Sequence, residues 1–176
     1  RVVGGKFKGF RIHPPKSFPS RPTTDYAKEA LFNILENQYE IEGAMVLDIF
    51  SGTGSISLEF LSRGAGKVIS VDIHRSAYFN AREVQEKLEI ENWKIYQTEA
   101  FKAIKKVKEK CNIVFADPPF DFKRMLEIPK HVFEADILAE GGVLIIEHGK
   151  QTDFSKAEHY IETRNYGGVN FSFFEV

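Results

Sequence analysis

Val46-Leu47-Asp48-Ile49-Phe50-Ser51-Gly52-Thr53-Gly54-Ser55 is an apolar strand that runs into a glycine-rich turn and then a helix over Ile56 to Arg63. Gly52 and Gly54 let the backbone turn sharply, and the exposed N–H groups at the helix start face whatever binds there. A dinucleotide loop of the G-x-G-x-x-G kind wants a third glycine, and Ser57 occupies that place. Asp48 stands four residues before Gly52. A carboxylate there would repel a pyrophosphate but would accept a hydrogen bond from a cationic or amine-bearing ligand. The stretch therefore predicts a loop, with Asp48, Phe50, Ser51, Gly52 and Gly54, that holds a nucleoside cofactor without phosphates.

Two further acids outline the same cofactor. The strand Lys67 to Val71 ends in Asp72, 24 residues after Asp48, with Ile73 beside it. That is the usual place for a carboxylate gripping both ribose hydroxyls. A third unit, Trp93 to Thr98, ends in Glu99-Ala100-Phe101, an acid and apolar neighbours suited to reading and covering an adenine. S-adenosylmethionine is the common nucleoside cofactor without phosphates that this pattern fits.

A fourth apolar strand, Asn112 to Ala116, runs into Asp117-Pro118-Pro119-Phe120, which suits chemistry on an exocyclic amine. An aromatic amine such as guanine N2 or adenine N6 is a poor nucleophile because its lone pair is delocalised into the ring. A carboxylate at Asp117 and the carbonyl of Pro118 would each accept one N–H, which localises the lone pair and aims it. The prolines fix φ and hold that carbonyl in place. Phe120 supplies a flat apolar face for a base lifted from its stack.

Asp48 to Gly54, Asp72 and Asp117 to Phe120 together resemble the Rossmann-like S-adenosylmethionine-dependent methyltransferases that act on amino groups. More narrowly, Arg21-Pro22-Thr23-Thr24-Asp25 with Glu29-Ala30-Leu31-Phe32-Asn33, and Leu58-Glu59-Phe60-Leu61-Ser62-Arg63-Gly64-Ala65, resemble the RsmD family, which methylates a guanine N2 of small-subunit ribosomal RNA. The similarity runs from Arg1-Val2-Val3-Gly4-Gly5 to Tyr166-Gly167 and Phe171-Ser172-Phe173-Phe174. The family usually has Arg where Lys28 stands and Asp where Glu99 stands. Its Asn in the helix after Asp72 is missing where Val84 and Gln85 sit. The resemblance implies a seven-stranded class I methyltransferase sheet, S-adenosylmethionine as cofactor, and ribosomal RNA or the small ribosomal subunit as partner. It also implies Asp117, Pro118, Pro119 and Phe120 as the catalytic stretch, and Thr23 and Asp25 at the border of the cofactor pocket. Adenine N6 methylation of DNA or RNA, and a low-turnover RNA-binding assembly factor, stay open. A nicotinamide oxidoreductase is disfavoured by Asp48 and Ser57.

The layout agrees. Val2 to Ile12, rich in glycine and basic residues, predicts a small β-hairpin, and Pro14-Pro15 with Pro19 a linker, so that residues 1–20 precede a methyltransferase domain over 21–176. Asp25 is expected to cap a helix to about Gln38, with Ala30, Leu31, Ile34 and Leu35 as its apolar stripe. Strands near Met45 to Phe50, Val68 to Val71, Lys94 to Thr98, Ile113 to Ala116 and Val143 to Glu147 alternate with helices, which predicts an α/β doubly wound, mostly parallel sheet. His159 to Arg164 and Asn170 to Val176, joined by Gly167-Gly168, predict an antiparallel hairpin at one edge.

Composition bounds the rest. At 176 residues and 43% hydrophobic content, one domain with a sizeable core is expected. No stretch is long and apolar enough to span a bilayer and no signal peptide is recognisable, so a cytoplasmic monomer without membrane contact is expected. Cys111 is alone and the five histidines lack metal-ligand spacing, so neither disulfide nor metal is expected. Charge is unevenly spread. Residues 1–28 carry seven Lys or Arg against Asp25, a net of +6, while the rest carries −7, giving the overall −1. A basic arm on an acidic body suits a protein that finds phosphate without gripping it everywhere. Lys106, Lys108 and Lys110 sit at a helix end, where cations complement the dipole.

Overall fold

Short apolar runs and helical stretches alternate into one seven-stranded sheet in the structure, a computed structural model that describes residues 1–18 and 23–176. The elements are α1 (Asp25–Gln38), β1 (Met45–Ile49), α2 (Ser55–Ser62), β2 (Lys67–Asp72), α3 (Arg75–Lys87), β3 (Trp93–Gln97), α4 (Ala100–Lys106), β4 (Cys111–Ala116), α5 (Ile128–Glu134), β5 (Leu138–His148), β6 (Tyr160–Tyr166) and β7 (Val169–Glu175). Strand order is β3-β2-β1-β4-β5-β7-β6. The first five strands in that order run parallel, and β7 is antiparallel to both β5 and β6. The expected doubly wound sheet with a C-terminal antiparallel hairpin is present.

Strand order decides where a site forms. The chain goes from β1 to β2 on one side and later to β4 on the other, so helices leave in opposite directions at the β1/β4 boundary. A crevice opens there, at the carboxyl ends of the strands. Strands buried on both faces read as continuous apolar runs. Ile113, Val114, Phe115 and Ala116 are accordingly 0–1% exposed. One layer packs Leu31, Phe32, Phe60, Trp93 and Phe171 together. The opposite layer packs Leu47, Ile104, Val114, Val132 and Phe154. Each such buried side chain contributes about 1.5–3 kcal/mol. Cys111 belongs to this second layer, and burial pushes its thiol up to about 12, in keeping with a packing role.

Two local expectations are corrected. Thr24, not Asp25, caps α1: its hydroxyl accepts from Ala27 N, and Asp25 is the first helical residue, paired with Arg1 at 2.9 Å. Val2 to Ile12 contains no strand. Val2 N donates to Phe10 O and Gly9 N to Val2 O, so the segment closes on itself, but successive turns break any regular ladder. Pro19 of the linker, Arg21 and Pro22 of the family-like stretch, and the boundary expected at 20/21 lie outside the described residues.

The N-terminal loop is held down by a buried acid. Glu59 on α2, 0% exposed, accepts from Val3 N at 2.9 Å and Gly4 N at 3.0 Å, and pairs with Lys28 at 3.3 Å and Arg63 at 2.8 Å. Burial lowers the Lys28 pKa and the Glu59 charge opposes that shift. Gly5, at φ +80°, lies so close to α2 that a Cβ there would drive into the Ser62 carbonyl. Lys6, Lys8 and Arg11 are exposed on this anchored loop. Among the described residues no helix is long and apolar enough to cross a membrane, and no group of three metal-ligating side chains is found.

Candidate active site

The crevice at the carboxyl ends of the parallel strands is a cavity of about 600 Å³. Its walls come from successive strand ends: Phe50 after β1; Val71, Asp72, Ile73 and His74 around the end of β2; Thr98, Glu99 and Ala100 after β3. Asp117, Pro118, Pro119, Phe120 and Phe122 follow from β4, and Glu147 from β5. Volume and lining suit a small organic ligand. Of the residues expected at a site, the structure brings Phe50, Asp72, Ile73, Glu99, Ala100 and the Asp117–Phe120 stretch to one cavity.

The glycine turn shapes the floor rather than the wall. Gly54, at φ +83°, is the N-cap of α2 and lies where an added Cβ would meet the Trp93 ring at 3.4 Å. Gly52 N donates to Asp72 Oδ2 at 2.9 Å, and Ser51 N donates to the Val71 carbonyl at 3.0 Å. The turn thus locks onto β2. Phe50 is itself left-handed, at φ 62°, a conformation costing ~1–3 kcal/mol for a non-glycine residue and concentrated at functional sites. Its ring stands edge-on to Phe122 at 5.1 Å.

Asp72 is held from both sides. Besides Gly52, its Oδ1 accepts from His74 N at 2.9 Å and lies 2.9 Å from His74 Nδ1. A carboxylate has about four acceptor positions, so a held Asp72 retains capacity for a ligand. Glu99 caps α4, accepting from Phe101 N and Lys102 N at 3.0 Å each, while still facing the cavity. Phe101 is buried, packed on Phe122 and beneath Arg124, so the apolar cover at this end comes from Ala100 and Ile73.

Asp48 is corrected. It is 1% exposed and lies beneath the turn, where Ser57 donates to its Oδ2 at 2.6 Å. Ser57 also meets Ser70 at 2.5 Å, and Trp93 Nε1 donates to Ser70 at 2.7 Å. Ser57, which breaks the dinucleotide glycine pattern, is the residue that holds the acid. Asp48 Oδ1 finds no partner among the described residues. Burial above all pushes its carboxyl up to about 7, Ser57 opposes this, and the charges of Asp72 and Glu147 add to it.

The sign of the consequence follows from linkage. The folded chain holds the Asp48 proton more tightly than the unfolded chain, whose carboxyl has its ordinary value of 3.8. Stability is therefore lost as pH rises from that value through about 7. Asp48→Asn should flatten the pH dependence of thermal unfolding in this window and raise the midpoint above it. Melting curves of the two proteins that stay parallel from pH 4 to 8 would contradict a buried, proton-holding Asp48.

At the β4 end, Asp117 is half-buried with its N–H toward the Ile49 carbonyl at 3.4 Å. Phe122 N donates to the Pro119 carbonyl at 2.9 Å, closing the turn. Phe120 is gripped from the loop after β5: Gln151 Nε2 donates to its carbonyl at 2.9 Å, and a Cβ on Gly149 would lie 3.0 Å from its ring. Glu147, 4% exposed, accepts from Thr23 Oγ1 at 2.9 Å. Thr23 thus reaches the site through Glu147, and itself borders a neighbouring cavity of about 220 Å³ with Thr24, Lys28, Thr53 and Ser55.

Sequence reading misses Glu147, Phe122, His74 and Thr98. It also misses Asn80 on α3, whose Nδ2 donates to the Thr53 carbonyl at 2.9 Å and ties that helix to the glycine turn. Chemically, the cavity gathers Asp72, Glu99, Asp117 and Glu147 beside apolar faces. Such a field attracts a cationic ligand with hydroxyl or amine donors and repels phosphate.

Comparison with known proteins agrees with this geometry. The sequence profile of the family described as conserved hypothetical protein 95 matches residues 1–175. Ribosomal RNA small subunit methyltransferase D of Buchnera aphidicola (subsp. Baizongia pistaciae) is 34% identical over 120 residues, 68% of this chain and 61% of that protein. The protein of the same name from Escherichia coli K12 is 34% identical over 120 residues, 68% of this chain and 60% of that protein. The chain thus spans about three fifths of the length of these curated relatives. Among solved structures, yhhF from Escherichia coli is 25% identical with a TM-score of 0.86, covering 99% of this chain and 96% of that one. A hypothetical protein of Thermus thermophilus has a TM-score of 0.86 at 23% identity, over 100% of this chain and 99% of that one, a likeness of fold.

Proposed function

We propose that this chain, which belongs to the conserved hypothetical protein 95 family, the RsmD family of Rossmann-like methyltransferases, transfers a methyl group from S-adenosylmethionine to a guanine N2 of small-subunit ribosomal RNA. One observation carries the reading: a single cavity joins a nucleoside-type end, at Asp72 and Glu99, to the Asp117-Pro118-Pro119-Phe120 turn at the neighbouring switch-point strand. The relatives are named for methylation of small-subunit ribosomal RNA, which supports the substrate class.

The residues fit the cofactor. Four acids stand among the lining of the cavity of about 600 Å³, and the buried Asp48 adds below it an oxygen that has no partner among the described residues. A positive ligand suits that field and a pyrophosphate does not. When bound, S-adenosylmethionine supplies an electrophilic methyl group on a positively charged sulfur. Asp72 would hold the ribose hydroxyls, Ile73 and Ala100 would cover the adenine, and Glu99 would face it as the cap of α4. Asp117 and the Pro118 carbonyl would each accept one N–H of the target amine, with the base lying on Phe120. Asp117 also serves the nitrogen as it gains positive charge and becomes acidic. Alignment of this kind contributes ~7–11 kcal/mol, with little acid–base strength required.

Digestion of the methylated ribosomal RNA to nucleosides, read by mass spectrometry, should yield N2-methylguanosine and no N6-methyladenosine. A product dominated by N6-methyladenosine would overturn the base assignment and leave amine methylation standing. Cofactor binding without transfer to free RNA or to small subunits would favour an assembly factor instead.

A further inference from the structure

We infer that His148 is a positioning residue for the target base: it fixes the loop after β5 and, through Gly149 and Gln151, the orientation of the Phe120 ring on which the base lies. The inference rests on the reading above in which Phe120 is that stacking face, and extends it to a side chain that does not itself line the cavity. His148 ends β5, one residue beyond Glu147, and so turns to the opposite face of the sheet, the face of Leu144 and Ile146. There it is 2% exposed, with the ring of Phe154 edge-on to it at 5.0 Å.

A buried imidazole needs partners for both ring nitrogens. Nδ1 lies 2.9 Å from the Gly149 carbonyl, which can only accept, so Nδ1 carries the proton. Burial lowers the pKa of the ring against the opposing pull of the Gly149 bond and of Asp153, which keeps the ring neutral and leaves Nε2 an acceptor. Ser172 Oγ donates to Nε2 at 2.6 Å. With that hydroxyl proton committed, Thr163 donates to Ser172 at 2.7 Å and Tyr160 donates to Thr163 at 2.7 Å. One directed chain of hydrogen bonds thus crosses from β6 through β7 to β5, and it sets the ring from two strands away. The other side of the ring acts on the site. The Gly149 carbonyl also accepts from Thr152 N at 3.3 Å, so it is the pivot of the turn that presents Gln151. Gln151 Nε2 donates to the Phe120 carbonyl, and a Cβ added to Gly149 would strike both Gln151 and the Phe120 ring. A shift of this turn therefore moves Phe120, and misplacing a substrate-positioning group by about 1 Å costs up to roughly 10²-fold in rate.

The test is a double-mutant cycle on transfer from labelled S-adenosylmethionine to small ribosomal subunits isolated from cells lacking the protein. His148→Gln, whose amide reaches toward Ser172 but leaves the Gly149 carbonyl without its donor, should lower kcat/KM for the subunits roughly 10- to 100-fold. Its affinity for S-adenosylmethionine, read by calorimetry, should stay that of wild type. His148→Asn, whose amide nitrogen stands where Nδ1 does, should recover most of the loss. Phe120→Ala should itself lower kcat/KM, and adding His148→Gln to it should cost no more than about a further two-fold, because the ring being aimed is gone. If His148→Gln folds poorly, Ser172→Ala removes only the hydroxyl that orients the imidazole, on a strand away from the cavity, and should show the same dependence on Phe120. Losses that multiply in the double variant, or equal losses for His148→Asn and His148→Gln in step with their melting temperatures, would overturn the inference alone. A Phe120→Ala protein as active as wild type would overturn the stacking reading and the inference with it.

Discussion

Asp117→Ala should cut methyl transfer severely while S-adenosylmethionine still binds with near wild-type affinity, and Asp72→Ala should weaken the binding step itself. Asp117 belongs to the turn after β4, bordered by Pro118, Phe120 and Glu147, whereas Asp72 is tied to the glycine turn through Gly52 N and to His74. Losing the group that aims the amine and takes up its developing charge should lower kcat by roughly 10²–10⁴-fold. Removing a charge-assisted grip on two hydroxyls should weaken cofactor binding by roughly 1.5–3 kcal/mol. Calorimetry with S-adenosylmethionine and single-turnover transfer from labelled cofactor separate the two. Equal losses of cofactor affinity in both variants would show that Asp117 serves the cofactor, not the amine.

The largest effect on stability is expected at Glu59, far from the chemistry. Glu59→Ala strands Lys28, 2% exposed, without its buried counter-charge and frees the N–H groups of Val3 and Gly4. Breaking one side of a buried ion pair costs roughly 3–5 kcal/mol. Urea unfolding should show that loss, and proteolysis should cut the N-terminal loop before the body, since Glu59 holds two of the loop's N–H groups and Ser62 is left to tether the rest. Glu59→Ala with Lys28→Met should recover part of the loss. A Glu59→Ala protein as stable as wild type, with a protease-resistant loop, would show that other contacts hold the arm.

The strand-turn-helix at Val46 to Ser55 and the Asp-Pro-Pro-Phe turn are legible in sequence because their meaning is local: hydrophobic period, glycine spacing and proline geometry act over a few residues. Residues whose role depends on distant partners are not. Glu147 ends an apolar strand and gains its position from Thr23, 124 residues away. Glu59 sits in the apolar run Ser55–Ser62 and looks like an exposed charge until Lys28 and Arg63 close over it. Asp48 is expected at the ligand because a strand-end acid normally faces the crevice. Ser57, itself bonded to Ser70, instead holds it below the turn. Glycine and basic residues in Val2 to Ile12 suggest a hairpin, and the same glycines supply turns that prevent regular pairing. Thr24 and Asp25 are both good caps, and only backbone geometry tells them apart.

Insertion of β7 between β5 and β6 has a consequence for how the chain is made. During synthesis β5 emerges with one side paired to β4 and the other bare, and it stays so until residues 169–175 have left the ribosome. Val143, Leu144, Ile145 and Ile146 would then present an unsatisfied apolar edge to any neighbouring nascent chain. A polypeptide stopped short of Val169 is therefore a sticky template for intermolecular pairing, with Glu147 and the loop that grips Phe120 on an unpinned strand. Completion of the pocket and protection against aggregation arrive together, in the pairing of that final strand.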